Sequence, residues 1–312
     1  MPASVLSFDT FPSFLVDQLN AGFDFHYNVD KNDTAALEAL APRVRGVYAK
    51  GETIFRDDLM ARLPKLEIIA VCGVGYDGID VAAARQRGIA VTNTPDVLTD
   101  DVADLAIALM LAVARRVVFA DQHVRSGAWS RGAFPLSRKV GGSRLGIVGL
   151  GRIGQAIAKR AQAFGMSIAY TARGRKADLA YTFYPNPQAL AREVDFLIVS
   201  TPGGPTTRGL ISADVINALG PNGYLINVAR GSVVDEPALV AALQEKRIAG
   251  AGLDVFVDEP NVPAALFAMD NVVLTPHMGS GTVETRTAMG DLACANLRAQ
   301  FEGKPLLTPI PA

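Results

Sequence analysis

The sequence predicts an α/β protein built from two doubly wound parallel sheets. Short apolar runs alternate with helical segments from the first residues onward. The alternation stops near Asn93-Thr94-Pro95 and starts afresh at Arg144. The chain has 312 residues, about two domains at roughly 150 residues each. Strands separated by helices of this length form βαβ crossovers, and such a parallel sheet is covered on both faces.

In the first series, Ser4–Phe8, Gly46–Ala49, Glu67–Val71 and Ile89–Thr92 read as buried strands. Asp57–Leu63 reads as a helix stopped by Pro64, and Val81–Arg87 as one begun by Asp80 and ended by Gly88. A long helix is expected from about Thr99 to Arg125, ending near Ser126-Gly127. Its acidic first turns (Asp100, Asp101, Asp104) suit the helix dipole. In the second series the strands are Leu145–Val148, Ser167–Tyr170, Phe196–Val199, Tyr224–Val228, Gly250–Leu253 and Val272–Leu274. Asp235 is placed to cap a helix reaching Lys246, with Pro237 tolerated in its first turn. A last helix, roughly Thr282 to Phe301, has no strands beside it and is expected to pack back on the first domain. The expected domains are 1–96 with 281–312, and 97–280.

Hydrophobic residues make up 49% of the chain and charged ones 20%, which excludes wholesale disorder and low-complexity classes. The net charge of −1 offers no general attraction to nucleic acid or anionic membranes, and neither is expected as a partner. The most membrane-like stretch, Leu105–Ala114, is far short of the ~20 apolar residues a span needs. Met1–Val5 lacks the basic and apolar regions of a secretory signal, so a cytoplasmic location is expected. The two cysteines, Cys72 and Cys294, lie in apolar runs and read as packed thiols, with no disulfide framework and no metal site.

Leu145–Gly154 carries G-x-G-x-x-G directly after a strand and before a helix, so Gly149, Leu150, Gly151, Arg152, Ile153 and Gly154 form a dinucleotide-binding turn. Gly149 permits the tight turn, Gly151 admits a pyrophosphate to the backbone, and Gly154 allows close helix–strand packing. The helix N-terminus offers N–H groups and a positive dipole end to the phosphates. A site for NAD would carry Asp or Glu at the end of the second strand, to bind the ribose hydroxyls. Here that position is Ala172, followed by Arg173, Gly174, Arg175 and Lys176. Loss of the carboxylate removes repulsion of a 2′-phosphate, and arginine offers it a planar fork of donors. NADP(H) is therefore the expected cofactor, held by Arg173 with help from Arg175 or Lys176, with NAD(H) also admissible. A solvated basic loop is the plain alternative.

Of the three histidines, His26 and His123 read as structural or exposed. His277 follows a strand and Pro276 and precedes Met278-Gly279, at a strand end where open α/β sheets bind ligands. Arg230 ends one strand, and Asp254 and Glu259 lie past another. Taken singly, each could be a surface pair or a cap.

Together, the segments 227–236, 249–260 and 275–280 resemble those of the D-2-hydroxyacid dehydrogenase family, as do Gly73–Asp80 and Asn93-Thr94-Pro95 through Asp104. The resemblance spans nearly the whole chain and looks nearest to NADPH-dependent glyoxylate/hydroxypyruvate reductases and hydroxyphenylpyruvate reductases. It implies a flavodoxin-like substrate domain, a Rossmann-type cofactor domain with a dimerisation helix at about 99–127, and a cleft between them that closes to exclude water. It makes Arg230 the substrate anchor, His277 the proton donor and Glu259 the partner of His277. Val74 and Gly75 would cradle the substrate carboxylate through their N–H groups. Thr201, Val228, Asp254 and Gly279 fall on the nicotinamide side.

The chemistry suits those residue types. Arg230 can bind the carboxylate of a 2-oxo acid and polarise its carbonyl. Hydride addition leaves an alkoxide that needs a proton, which His277 supplies. A carboxylate at Glu259 favours the charged imidazolium of a residue whose ordinary pKa is about 6.5. Glu259 argues against the formate dehydrogenase branch, whose histidine pairs with glutamine. No regulatory domain of the kind appended in many phosphoglycerate dehydrogenases is expected after Ala312. The resemblance further implies a homodimer, in which Trp129 either enters the partner's active site or packs at the interface or surface. The reading is a reductase of small 2-oxo acids, glyoxylate and hydroxypyruvate first. Its alternatives are a hydroxyphenylpyruvate-type reductase with a bulkier substrate, or a non-catalytic NAD(P)-sensing module like the related corepressors.

Overall fold

Runs of β-branched and aliphatic residues pair in parallel to give two sheets crossed by helices, several of which start on a capping Asp, Asn or Thr side chain. The computed structural model describes residues 2–311. It divides into two compact units, Met1–Leu98 with Ser280–Ala312, and Thr99–Gly279.

The first unit holds β1 (Ser4–Leu6), α1 (Ser13–Gly22), β2 (Asp24–His26), α2 (Thr34–Leu40), β3 (Val44–Ala49), α3 (Asp57–Ala61), β4 (Ile68–Val71), α4 (Val81–Gln86) and β5 (Ala90–Thr92). Its strands lie in the order β2-β1-β3-β4-β5, all parallel. Asp80 caps α4 by accepting from the Ala83 N–H, and Gly88 follows with a left-handed φ of 71°. A cap of this kind contributes about 1 kcal/mol. The terminal helix, numbered α11 below, packs on α1 and β4, as its lack of neighbouring strands implies. Cys72 and Cys294 are buried here as free thiols, and burial pushes the Cys294 thiol up to about 11. His26 bonds to Ser4 and Asp24 at 2.9 and 3.1 Å, a structural role.

The second unit holds α5 (Thr99–Ala114), α6 (Val117–Arg125), β6 (Arg144–Val148), α7 (Arg152–Ala163), β7 (Ser167–Thr171), β8 (Thr182–Phe183), α8 (Pro187–Ala191), β9 (Phe196–Val199), α9 (Ala213–Leu219), β10 (Tyr224–Asn227), α10 (Glu236–Gln244), β11 (Gly250–Leu253) and β12 (Val272–Leu274); α11 (Val283–Phe301) returns to the first unit. The strand order is β12-β11-β10-β9-β6-β7-β8, again parallel throughout. Strand order reverses between β6 and β9, the place where open α/β sheets bind ligands beyond their carboxyl ends. Both sheets are thus the parallel α/β architecture expected of a substrate-binding and a Rossmann-type unit.

One expectation is corrected. The helix from Thr99 to Arg125 is two helices, because Arg116 adopts a left-handed φ of 53°. Its guanidinium pairs with Asp270 at 2.5 Å and lies over the Phe134 ring. α5 is largely buried, whereas α6 has no buried residue, so the break separates a core helix from a surface one. Asp100 and Asp104 pair with Arg160 of α7, which locks α5 onto it as well as suiting the dipole. β8 is an edge strand of two residues, too short to read from periodicity. Among the described residues, no helix is long and apolar enough to cross a membrane.

Candidate active site

β6 leads into the glycine turn, and the turn's geometry follows from what each glycine excludes. Gly149 has a φ of 96°, and a side chain there would press on the Thr201 N–H. Any Cβ at Gly154 would overlap the Gly149 carbonyl oxygen, so α7 approaches the strand more closely than a larger residue permits. Gly151, by contrast, faces open space. Leu150 is buried, while Arg152 and Ile153 form the first turn of α7. The Thr201 hydroxyl, just past β9, is buried with no hydrogen-bond partner among the described residues. An open glycine at a helix N-terminus, in a turn whose Gly149 lies against the residue with the orphaned hydroxyl, fits a phosphate-bearing dinucleotide, which needs backbone approach and polar donors.

After β7, Ala172 packs against the apolar core, and Arg173 and Arg175 point from an exposed loop. Among the described residues neither arginine has a carboxylate within ion-pair distance. The Tyr170 hydroxyl accepts the Lys176 N–H at 2.7 Å and so fixes the end of this loop.

Three neighbouring strands end in the remaining groups. Past β10, Arg230 donates through Nη1 to the Ala229 carbonyl at 2.8 Å. Past β11, Glu259 accepts the Phe256 N–H on Oε1 at 2.9 Å and meets His277 Nδ1 with Oε2 at 2.6 Å. The two side chains are 27% and 30% exposed, which leaves the pair open to proton exchange with water. Burial pushes the Glu259 carboxyl up, but the His277 ring, the Phe256 N–H and the Arg230 charge outweigh it and hold it below its ordinary value. With Nδ1 committed to Glu259, the ring presents Nε2 as its other nitrogen.

His277 itself sits at a φ of 50°, and Asp254 explains how that conformation is held. Asp254 is 1% exposed. Its Oδ1 accepts the Thr275 hydroxyl at 2.6 Å and the Met278 N–H at 2.8 Å, and its Oδ2 accepts the Gly279 N–H at 2.9 Å. Its backbone carbonyl also accepts the His277 N–H at 2.8 Å. The carboxylate is thus taken up by the turn that carries the histidine. Hydrogen bonds to an ionised acceptor are the strong ones, at about 1.5–3 kcal/mol each.

These residues, with Thr201 and Val228, all belong to the second unit. Val74 and Gly75 belong to the first, in the turn after β4. There the Val74 carbonyl accepts from Asn93 at 2.9 Å and the Gly73 carbonyl from the Thr94 N–H. Among the described residues the N–H groups of Val74 and Gly75 donate to no protein acceptor. Trp129 lies in a 3₁₀ turn after α6 and is 66% exposed. Sequence reasoning passed over Asn227 and Gly231, which flank Arg230. Nothing in their residue types announces a role: Asn227 bonds within its own turn, and Gly231 lies against the loop after β11.

A family model for the NAD-binding domain of D-isomer specific 2-hydroxyacid dehydrogenases matches residues 107–279. The chain belongs to that family. It is 50% identical over 299 residues to a hydroxyphenylpyruvate reductase from Plectranthus scutellarioides, covering 96% of each chain. It is 48% identical over 299 residues to glyoxylate/hydroxypyruvate reductase A of Arabidopsis thaliana, again covering 96% of each. The crystal structure of an NADPH-dependent glyoxylate/hydroxypyruvate reductase from Sinorhizobium meliloti, in complex with NADP and malonate, superposes with a TM-score of 0.94. It shares 47% identity, over 99% of this chain and 97% of that one. This dehydrogenase is accordingly an NAD(P)-dependent oxidoreductase of small 2-oxo and 2-hydroxy acids.

Proposed function

We propose that the protein is an NADPH-dependent reductase of glyoxylate and hydroxypyruvate. The observation that carries this reading is the 2.6 Å His277–Glu259 pair, set on strand ends beside the one that bears Arg230. Arg230 binds the substrate carboxylate and polarises the carbonyl. The glycine turn 149–154, Thr201, Val228 and Gly279 would hold NADP(H), with Arg173 and Arg175 on its 2′-phosphate; bound, it supplies the hydride. Asp254 acts on that side through the Met278-Gly279 turn. His277 donates a proton from Nε2 to the oxygen that becomes the hydroxyl. Glu259 fixes the ring and stabilises its charged form until the proton leaves.

A homodimer and a cytoplasmic location complete the proposal; cell fractionation checks the second. The exposed apolar side chains of Val117, Val118, Val124, Trp129 and Leu136 support the first. A bulkier aryl substrate is the second reading, favoured by the 50% identity to the Plectranthus reductase.

The test follows NADPH and NADH absorbance against glyoxylate, hydroxypyruvate, pyruvate and 4-hydroxyphenylpyruvate. Fast NADPH-dependent turnover of the first two is expected. His277→Ala should lose about 10²-fold or more in turnover while still binding NADPH. Arg173→Ala should lower the NADPH/NADH preference about tenfold. A preference for NADH overturns the cofactor assignment alone, and a preference for 4-hydroxyphenylpyruvate selects the second reading. NADPH binding without any turnover points to the sensing module.

A further inference from the structure

Asn227 ends β10, three residues before Arg230, and is 1% exposed. A carboxamide has one accepting and one donating end, and a buried one must satisfy both. Asn227 does so entirely within the turn that follows it. Its Oδ1 accepts the Ala229 N–H at 3.0 Å, and its Nδ2 donates to the Arg230 carbonyl at 3.0 Å. That places one side chain across both ends of the two-residue segment Ala229-Arg230. The Arg230 guanidinium in turn donates to the carbonyl of Ala229, the residue whose N–H Asn227 holds. The backbone of Asn227 extends the same frame: its carbonyl accepts the Asp254 N–H at 3.0 Å, linking it to the residue that holds the His277 turn.

We infer that Asn227 is a positioning residue that aims the Arg230 guanidinium at the substrate carboxylate. The inference rests on the proposed role of Arg230 as the anion anchor. Asp would keep the acceptor for Ala229 but set a second oxygen against the Arg230 carbonyl, and an aliphatic residue would leave both backbone groups buried and unmatched. Only a carboxamide serves both ends without charge. Precise aim matters because a bidentate guanidinium–carboxylate contact is directional.

The experiment measures oxalate affinity by titration calorimetry on NADP-saturated protein, for the wild type, Asn227→Ala, Arg230→Lys and the double variant. NADP(H) affinity and the KM of each competent 2-oxo acid are measured alongside. Asn227→Ala should weaken oxalate and raise KM about tenfold or more, with NADP(H) affinity changed less than twofold. In the Arg230→Lys background the same substitution should add less than about twofold, because it acts through the arginine. An undiminished effect in that background, or unchanged oxalate affinity in Asn227→Ala, overturns the inference while wild-type turnover leaves the functional reading intact. A wild type that binds no oxalate and turns over no 2-oxo acid removes the reading and the inference together. Should Asn227→Ala not fold, Asn227→Asp is expected to show the same pattern with a smaller loss, and wild-type affinity in that variant overturns the inference.

Discussion

The ring of His277 and the carboxylate of Glu259 meet at 2.6 Å in the candidate site, and the consequences of that contact are local and electrostatic. Glu259 is held below its ordinary pKa against the upward push of burial. A carboxylate depressed in the folded state adds stability that is present above its unfolded value, about 4.3, and is lost as pH falls through the folded one. Glu259→Gln should therefore lower the Tm at neutral pH, with the difference from wild type shrinking below about pH 4. In activity, the variant should lose rate first on the alkaline side, because an amide gives the imidazolium no counter-charge. NADPH affinity should stay as it was. Thermal melts and pH–rate profiles of both proteins check these outcomes, and identical profiles would remove the electrostatic role.

The strand-end loops act as units, and their mutual packing decides how well the groups they carry are aimed. The turn after β10 presses on the one after β11 at Gly231, which is buried against the Phe256 backbone. A Cβ at Gly231 would overlap the Phe256 carbonyl group, so the loops must separate if any side chain is introduced. The Phe256 N–H is also a donor to Glu259, so that separation disturbs Arg230 and Glu259 at once. Gly231→Ala is expected to cut kcat/KM about 10²-fold, the scale of a 1 Å misplacement. The glycine turn, carried by other strands, should keep its NADPH affinity. A variant with unimpaired turnover shows that the loops tolerate the gap.

At the scale of the whole molecule, α6 is an α-helix that its own unit leaves uncovered. It has no buried residue, and the following segment leaves Leu136 fully exposed. Apolar surface left open in this way marks an interface. The proposed homodimer predicts twice the 33.0 kDa chain mass in light scattering at micromolar concentration. Placing charges in the patch with Val124→Asp and Leu136→Asp should shift the protein to monomer, since unpaired charges at a desolvated interface are costly. A monomeric wild type removes the dimer from the proposal and assigns the patch another occupant.

Periodicity, glycine spacing and capping residues are local properties, and what they determine was legible in the sequence. The parallel strands, the G-x-G-x-x-G turn and the caps at Asp80 and Asp235 all follow from residues within a few positions of one another, whereas Arg230, Glu259 and His277 were brought together by the resemblance of the segments that carry them. The break at Arg116 was not legible, because a good helical pattern continues through it while its partners, Asp270 and Phe134, come from elsewhere. Nor was the edge strand β8, whose two residues give too little pattern to read. The work of Asp254 and Gly231 was hidden for the same reason. Each owes its role to backbone groups that only the folded chain brings within hydrogen-bond or van der Waals distance. The sequence by itself determined which chemical groups stand at the strand ends; the tertiary structure decided how they are held, because a buried polar group takes its partners from whatever the fold places beside it.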